Sequence, residues 1–171
     1  MNYQHAYHAG NFADVVKHVL LLQLLEQLSQ KPKPFYTLDA YGGRGLYSLA
    51  SVEAKKTHEA VGGVQKLMQH DNVKAPQAVK TYLDDLAYAR KFYDKYVYTG
   101  SPWFIARHIQ KHPDVKNRAE AFEFKADEYD ALNYQLHQLP IGIAHRNAYE
   151  GIPAVVPPVE KRGLILIDPP F

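Results

Sequence analysis

From Asn11 onward, apolar residues recur at three- and four-residue steps: Phe12, Val15, Val16, Val19, Leu20 and Leu24. This spacing predicts an amphipathic helix with Asn11 as its N-cap, ending before Lys31-Pro32-Lys33-Pro34. The prolines impose an extended entry into Phe35-Tyr36-Thr37-Leu38, a short β-prone run that stops at Asp39 and meets Gly42-Gly43-Arg44-Gly45. From about Glu53 to Tyr98 the pattern is mostly helical, with Val79, Leu83, Leu86 and Ala87 on one face and Lys80, Asp84, Asp85, Arg90 and Lys91 elsewhere. Thr99-Gly100-Ser101-Pro102 is turn chemistry that opens another helix, with Ile105, Ala106 and Ile109 as its buried face. Ala119 to Phe122 and Ile141 to Ala144 read as short strands flanking a helix over Asp127 to Gln138, whose Tyr129, Leu132 and Leu136 share a face. Gly163-Leu164-Ile165-Leu166-Ile167 is a continuous apolar run, as expected of a central parallel strand buried on both faces.

Alternating strands and helices with short apolar strands predict an open α/β sheet, in which ligands bind outside the carboxyl ends of the strands. Asp39, Glu123, His145 to Asn147 and Asp168 each follow a predicted strand, so the topology gathers them at one crevice. A central strand followed by only Asp168-Pro169-Pro170-Phe171 has no covering helix after it, so the pattern predicts a protein whose carboxyl-terminal part continues further.

Composition narrows the class. With 171 residues, 46% of them hydrophobic and 22% charged, the chain suits one globular domain. The longest apolar stretch, Val19 to Leu25, is broken by Gln23 and is far below the roughly 20 residues of a membrane span. The polar start, Met1 to His5, does not read as a signal peptide. The absence of cysteine excludes disulfide scaffolds, thiol catalysis and cysteine-ligated metal, and agrees with a cytoplasmic protein. A net charge of +2 permits a phosphate-bearing partner without requiring one. Thirteen tyrosines offer faces for stacking on bases, although tyrosine more often fills cores.

The strongest chemical signal is Asp168-Pro169-Pro170-Phe171. A base amino group has its lone pair conjugated into the ring. Hydrogen bonds from it to the Asp168 carboxylate and the Pro169 carbonyl favour a pyramidal, nucleophilic nitrogen, and the diproline holds those acceptors rigid. Phe171 is placed to stack on a base that has left its helix, and no metal is called for. The tetrapeptide by itself reads more readily as a proline turn closing an edge strand; the Gly163 to Ile167 strand before it reverses that preference. Asp39-Ala40-Tyr41-Gly42-Gly43-Arg44-Gly45 is a strand-to-glycine-loop turn that lets backbone approach a ligand. It fits neither Gly-x-Gly-x-x-Gly nor a phosphate loop, which weakens hydride transfer and nucleotide hydrolysis. Glu123 is placed to accept from a ribose diol, or is simply a solvated acid. Tyr3, His5, His8, Lys17 and His18 form a polar and aromatic cluster whose histidines, with Asp14, do not match a metal-site spacing; a substrate-contacting arm or plain surface histidines remain.

These pieces together resemble the bacterial 23S ribosomal RNA adenine-N6 methyltransferases of the ribosomal RNA large subunit methyltransferase J family. The resemblance is carried by the run Tyr3 to His18, by Gly100-Ser101-Pro102 and by Arg162 to Phe171. It implies a Rossmann-like class I S-adenosylmethionine-dependent methyltransferase fold with a helical insertion. The implied organisation is 1–52 for the first helix and first cofactor-binding unit, 53–98 for the insertion, and 99–171 for the continuing methyltransferase domain. It implies S-adenosyl-L-methionine as cofactor, bound by His18, Asp39, Tyr41, Gly43, Ser101, Glu123, Asn147 and Ala148. Asp168 is the implied catalytic residue and Tyr3 the implied RNA contact; the reading of the residues themselves adds Pro169 and Phe171 as catalytic candidates and His5, His8 and Lys17 as substrate contacts. The implied partner is 23S rRNA, protein-free or partly assembled, met by a cytoplasmic monomer with no metal and no membrane. Tyr41 stands where the family pattern has histidine, and Asn147-Ala148 where it has Asp-Gly; an amide can still donate to and accept from an adenine edge. DNA adenine methylation, or nucleic-acid binding without methyl transfer in the use of external DNA as a nutrient, are the alternative readings.

Overall fold

A computed structural model describes residues 5–70 and 74–170. The chain divides into two compact units, one made of residues 1–23 and 46–99, the other of 24–45 and 100–171.

The second unit holds a four-stranded parallel sheet. Its strands are β1 (Tyr36–Asp39), β4 (Arg118–Glu123), β5 (Gly142–His145) and β6 (Gly163–Leu166), in the order β5-β4-β1-β6. The helices of this unit are the last turns of α1 (Phe12–Ser29), then α5 (Ser101–Lys111), α6 (Ala126–Leu136) and α7 (Ala148–Val155). β1 is buried at all four positions. Tyr36, Leu38 and Phe122 form the centre of a core against which Ala144, Ile152, Val155 and Ile165 pack. This is an α/β fold, with parallel strands joined through helices as their apolar runs require.

The other unit carries the antiparallel pair β2 (Leu46–Ser48) and β3 (Val97–Thr99), with α2 (Val52–Thr57), a π-helical turn at Val61–Gln65, α3 (Lys66–Gln69) and α4 (Gln77–Phe92) between them in sequence. Tyr82, Leu86, Ala89 and Tyr98 are fully buried there.

Four expectations from the pattern are corrected. The stripe Phe12, Val16, Leu20 and Leu24 is the exposed side of α1, and its buried side is Asp14, His18, Leu21, Leu22 and Leu25. The helix is apolar on two faces, so period alone could not choose between them. On α4 the buried face is Tyr82, Asp85, Leu86 and Ala89, whereas Ala87 is exposed. Val97 and Tyr98, read as the tail of a helical region, and Thr99, read as a turn, form a strand with Leu46 to Ser48. Lastly, β6 is not buried on both faces. It pairs with β1 and with no second strand among the described residues, and Leu164 to Leu166 are half-buried while Ile167 is 57% exposed.

The β1–β6 contact is close enough to constrain residue type. A Cβ on Gly163 would lie 2.2 Å from the Tyr36 carbonyl oxygen, inside the register Tyr36 to Gly163. Gly163→Ala is therefore expected to destabilise the protein by about 1–3 kcal/mol through forced backbone shifts. Urea denaturation measures this, and an unchanged midpoint would contradict the close approach.

Candidate functional site

The carboxyl ends of β1 and β6 lie side by side in register, and β4 runs alongside β1 and two residues further, to Glu123. Asp39 is opposite Ala121 on one side and Leu166 on the other. Just beyond that row the chain makes three connections. The Ala40 amide donates to the Leu166 carbonyl at 2.9 Å, bringing the β1 loop to the start of the Asp168 turn. The Gly42 amide donates to the Phe122 carbonyl at 2.8 Å, and the Gly43 amide to Glu123 Oε2 at 2.9 Å. Glu123 Oε1 also accepts from the Lys125 amide at 2.8 Å, so this carboxylate is clamped at the strand end by two backbone donors.

Asp39 is fully buried, and its Oδ1 accepts from the Tyr41 amide at 3.1 Å, which starts the loop. Gly45 then takes a left-handed φ of 81°, and a Cβ there would sit 2.8 Å from Leu132, so only glycine turns the chain at this point. The Gly45 carbonyl accepts from the Gly100 amide at 2.7 Å, tying the loop to the residue that precedes Ser101. Ser101 is the buried first residue of α5. Between these points Arg44 makes a bidentate pair with Glu128, at 2.9 and 2.6 Å. The sequence reading did not single out Arg44 or Glu128. Their signal was an arginine inside a glycine loop and an acid in the first turn of the Asp127 helix.

At the end of β5, Asn147 caps α7: its Oδ1 accepts from the Tyr149 amide at 2.9 Å, and Ala148 behind it is buried. The helix itself was not predicted, because Gly151 and Pro153 obscure its pattern. Tyr41 is hydrogen-bonded to the Tyr149 side chain; partial desolvation and that neighbour raise its hydroxyl pKa. Asp168 and Pro169 follow β6, with Asp168 exposed to solvent and Pro169 half-buried. Phe171 lies outside the described residues.

Thus Asp39, Tyr41, Gly43, Ser101, Glu123, Asn147, Ala148, Asp168 and Pro169 all belong to the second unit. Direct bonds join Asp39 with Tyr41 and Gly43 with Glu123. His5, His8, Lys17 and His18 belong to the first unit, and Tyr3 lies outside the described residues. There Asp14 is the hub. His5 Nε2 and Lys17 Nζ lie 2.9 and 2.8 Å from its two oxygens, and the Gly10 amide donates to it at 3.0 Å. His8 pairs with Glu59, which also accepts from Asn11 Nδ2. The predicted N-cap is present, with Asn11 Oδ1 accepting from the Asp14 amide at 2.9 Å. His18 is fully buried, its Nδ1 2.9 Å from the Tyr98 hydroxyl.

With the geometry in place, the relatives give the family. The family model described as "Ribosomal RNA large subunit methyltransferase D, RlmJ" matches residues 32–171. Proteins named ribosomal RNA large subunit methyltransferase J from Escherichia coli and Haemophilus influenzae are 33% and 35% identical to the chain. Each match covers the whole chain and 59% of the relative. A crystal structure of a Legionella pneumophila protein superposes with a TM-score of 0.78 at 32% identity, covering 95% of this chain and 58% of that one. Fold and strand-end site define an α/β protein of the class I methyltransferase type. The chain belongs to the ribosomal RNA large subunit methyltransferase J family. It spans about three-fifths of the length of the curated relatives it matches.

The buried polar groups of the first unit set a pH dependence. Burial pushes His18 down to about 3, against the pull of Asp14. Burial would raise Asp14, but the hydrogen bond with His5 and neighbouring positive charge outweigh it and hold the carboxyl well below the usual range. Between pH 6.5 and 3 the unfolded chain protonates His18 while the folded one does not. Stability therefore falls as pH is lowered from about 6.5, by up to about 1.4 kcal/mol per pH unit. Asp14, with its folded value depressed, adds a further loss below about pH 4. Thermal melts from pH 7 to 4 are expected to show a falling midpoint, and a shallower fall in His18→Gln. A wild-type midpoint that stays level from 6.5 to 4 would refute the burial argument.

Proposed function

We propose that this chain carries the cofactor and catalytic parts of an enzyme that transfers a methyl group from S-adenosylmethionine to adenine N6 in 23S rRNA, protein-free or partly assembled, in the cytoplasm. The observation that carries the reading is the convergence of Asp39, the Gly43–Glu123 bond and the Asp168 turn at the carboxyl ends of β1, β4 and β6. The names of the relatives, ribosomal RNA large subunit methyltransferases, support the large-subunit RNA as substrate.

The residues fit the cofactor. Glu123 is fixed by two amide donors yet keeps acceptor capacity for a ribose diol, since an ionised carboxylate has about four lone-pair sites. The loop is tight at its glycines, Gly42 against Pro102, Ala121 and Leu132 and Gly45 against Leu132 and Leu136, so its backbone can come close to a ligand. Ser101 at the start of α5 and Asn147-Ala148 at the start of α7 supply hydroxyl, amide and backbone donors at helix amino termini. Tyr41, hydrogen-bonded to the Tyr149 side chain, offers an aromatic ring in the same loop.

When bound, S-adenosylmethionine supplies a methyl group on a positively charged sulfur. The chain's task is then to present the base nitrogen. The Asp168 carboxylate and the Pro169 carbonyl accept the two hydrogens of the amino group, drawing its lone pair out of conjugation and towards the donor. The diproline fixes the direction of both acceptors, and Phe171 stacks on the flipped base. Contacts of His18 with the cofactor and of Tyr3, His5, His8 and Lys17 with RNA belong to the same proposal and rest on the family resemblance.

With the full protein, Asp168→Ala is expected to lower methylation of protein-free 23S rRNA by at least about a hundredfold while leaving S-adenosylmethionine binding intact. Glu123→Ala is expected to weaken that binding by about tenfold or more. Nucleoside mass spectrometry and calorimetry measure these. Normal turnover by Asp168→Ala would remove its role; preferred methylation of DNA over rRNA would redirect the substrate; nucleic-acid binding without any cofactor binding would overturn the enzyme.

A further inference from the structure

A second cluster of donors lies in the same unit, at the carboxyl-terminal ends of α1 and α5, on residues that the methyl-transfer reading does not use. α5 carries His108 near its end, and His112 follows one turn later as its C-cap. The i, i+4 spacing puts both imidazoles on one side, with ring centroids 4.5 Å apart. Glu26, in the last turns of α1, lies with its Oε2 3.9 Å from His112 Nε2. One ligand atom from each of Glu26, His108 and His112 falls within 4.8 Å of the others.

We propose that Glu26, His108 and His112 form a binding site for a divalent transition-metal ion of the zinc class, joining the last turns of α1 to the end of α5.

Two imidazoles and one carboxylate are the donor set such ions take, and three protein ligands leave a position for water. Metal–ligand bonds of about 2.0–2.2 Å place tetrahedral donors about 3.3 Å apart. The present spacing therefore closes by side-chain rotation, which the exposed Glu26 and half-buried His112 are free to make. His108 is the fixed member. It is buried, the Ser29 hydroxyl lies 2.7 Å from its Nε2, and Phe35 flanks its ring. Lys111 on the same helix end opposes a cation there, and the Glu26 carboxylate offsets it. The site is a clamp between two helices and takes no part in the methyl transfer proposed above.

The test uses tag-free full protein with Zn2+ in calorimetry and Co2+ in visible spectroscopy. One ion per chain is expected, with Co2+ d–d bands of a four- or five-coordinate nitrogen–oxygen site and a Zn2+-dependent rise in thermal midpoint. His112→Ala and Glu26→Gln, both at accessible positions, are each expected to weaken binding at least about tenfold and to abolish the thermal shift, whereas His137→Ala changes neither. Absence of saturable Zn2+ binding, or stoichiometric binding that survives both His112→Ala and Glu26→Gln, would overturn the site.

Discussion

The parallel pairing of β1 with β4 on one side and β6 on the other is the constraint from which the functional region follows. A parallel register aligns segments that are far apart in sequence, here Asp39 and Leu166 at the ends of β1 and β6 beside Ala121, two residues before the end of β4. Whatever chain leaves those ends must emerge at the same edge of the sheet, which brings a glycine loop, an acidic strand end and the Asp168 turn together. The full burial of β1 makes this arrangement expensive to alter, because Tyr36 and Leu38 sit in the same core as Phe122 and Ile165. The close approach of Gly163 to Tyr36 belongs to the same constraint: the last strand joins the sheet with almost no space to spare.

Around that edge the polar groups are held by backbone more than by side chains. Glu123 accepts from Gly43 and Lys125, Asp39 from Tyr41, and Asn147 from Tyr149. Each acid or amide thereby shapes a loop and is itself oriented. An acceptor fixed in this way has little freedom left to lose when it meets a ligand, which is how preorganisation raises affinity. Arg44 extends the arrangement outward, since its two-pronged pair with Glu128 ties the middle of the loop to the first turn of α6.

How much of this was legible in the sequence depended on what kind of signal each segment carries. The parallel strands were legible because apolar runs such as Phe35 to Leu38 and Gly163 to Ile167 are bounded by proline, glycine or acid. So were the strand-end candidates, since position after a strand is a topological fact. The buried face of α1 was not. Leu20, Leu21, Leu22, Leu24 and Leu25 surround the helix, and the decisive buried residues Asp14 and His18 are polar. Their burial is favourable only because His5, Lys17, Gly10 and Tyr98 satisfy them, and those partners come from other turns and other segments. The strand Val97 to Thr99 was hidden for a related reason: three residues carry no measurable period, and its partner Leu46 to Ser48 is about fifty residues earlier in the chain.

The same reasoning explains why motif and environment contribute different things at Asp168. The tetrapeptide specifies acceptors and rigidity, but a proline turn at a strand end has those properties in any fold. What makes the position chemically distinctive is that the strand before it ends beside Ala40, whose amide donates to the Leu166 carbonyl, and that Ala40 in turn begins the loop closed by Gly43 on Glu123. A group bound along that loop lies at the strand edge from which the Asp168 turn departs. Short-range motif and long-range register thus act at the same sheet edge, the motif through its acceptors and rigidity, the register through position.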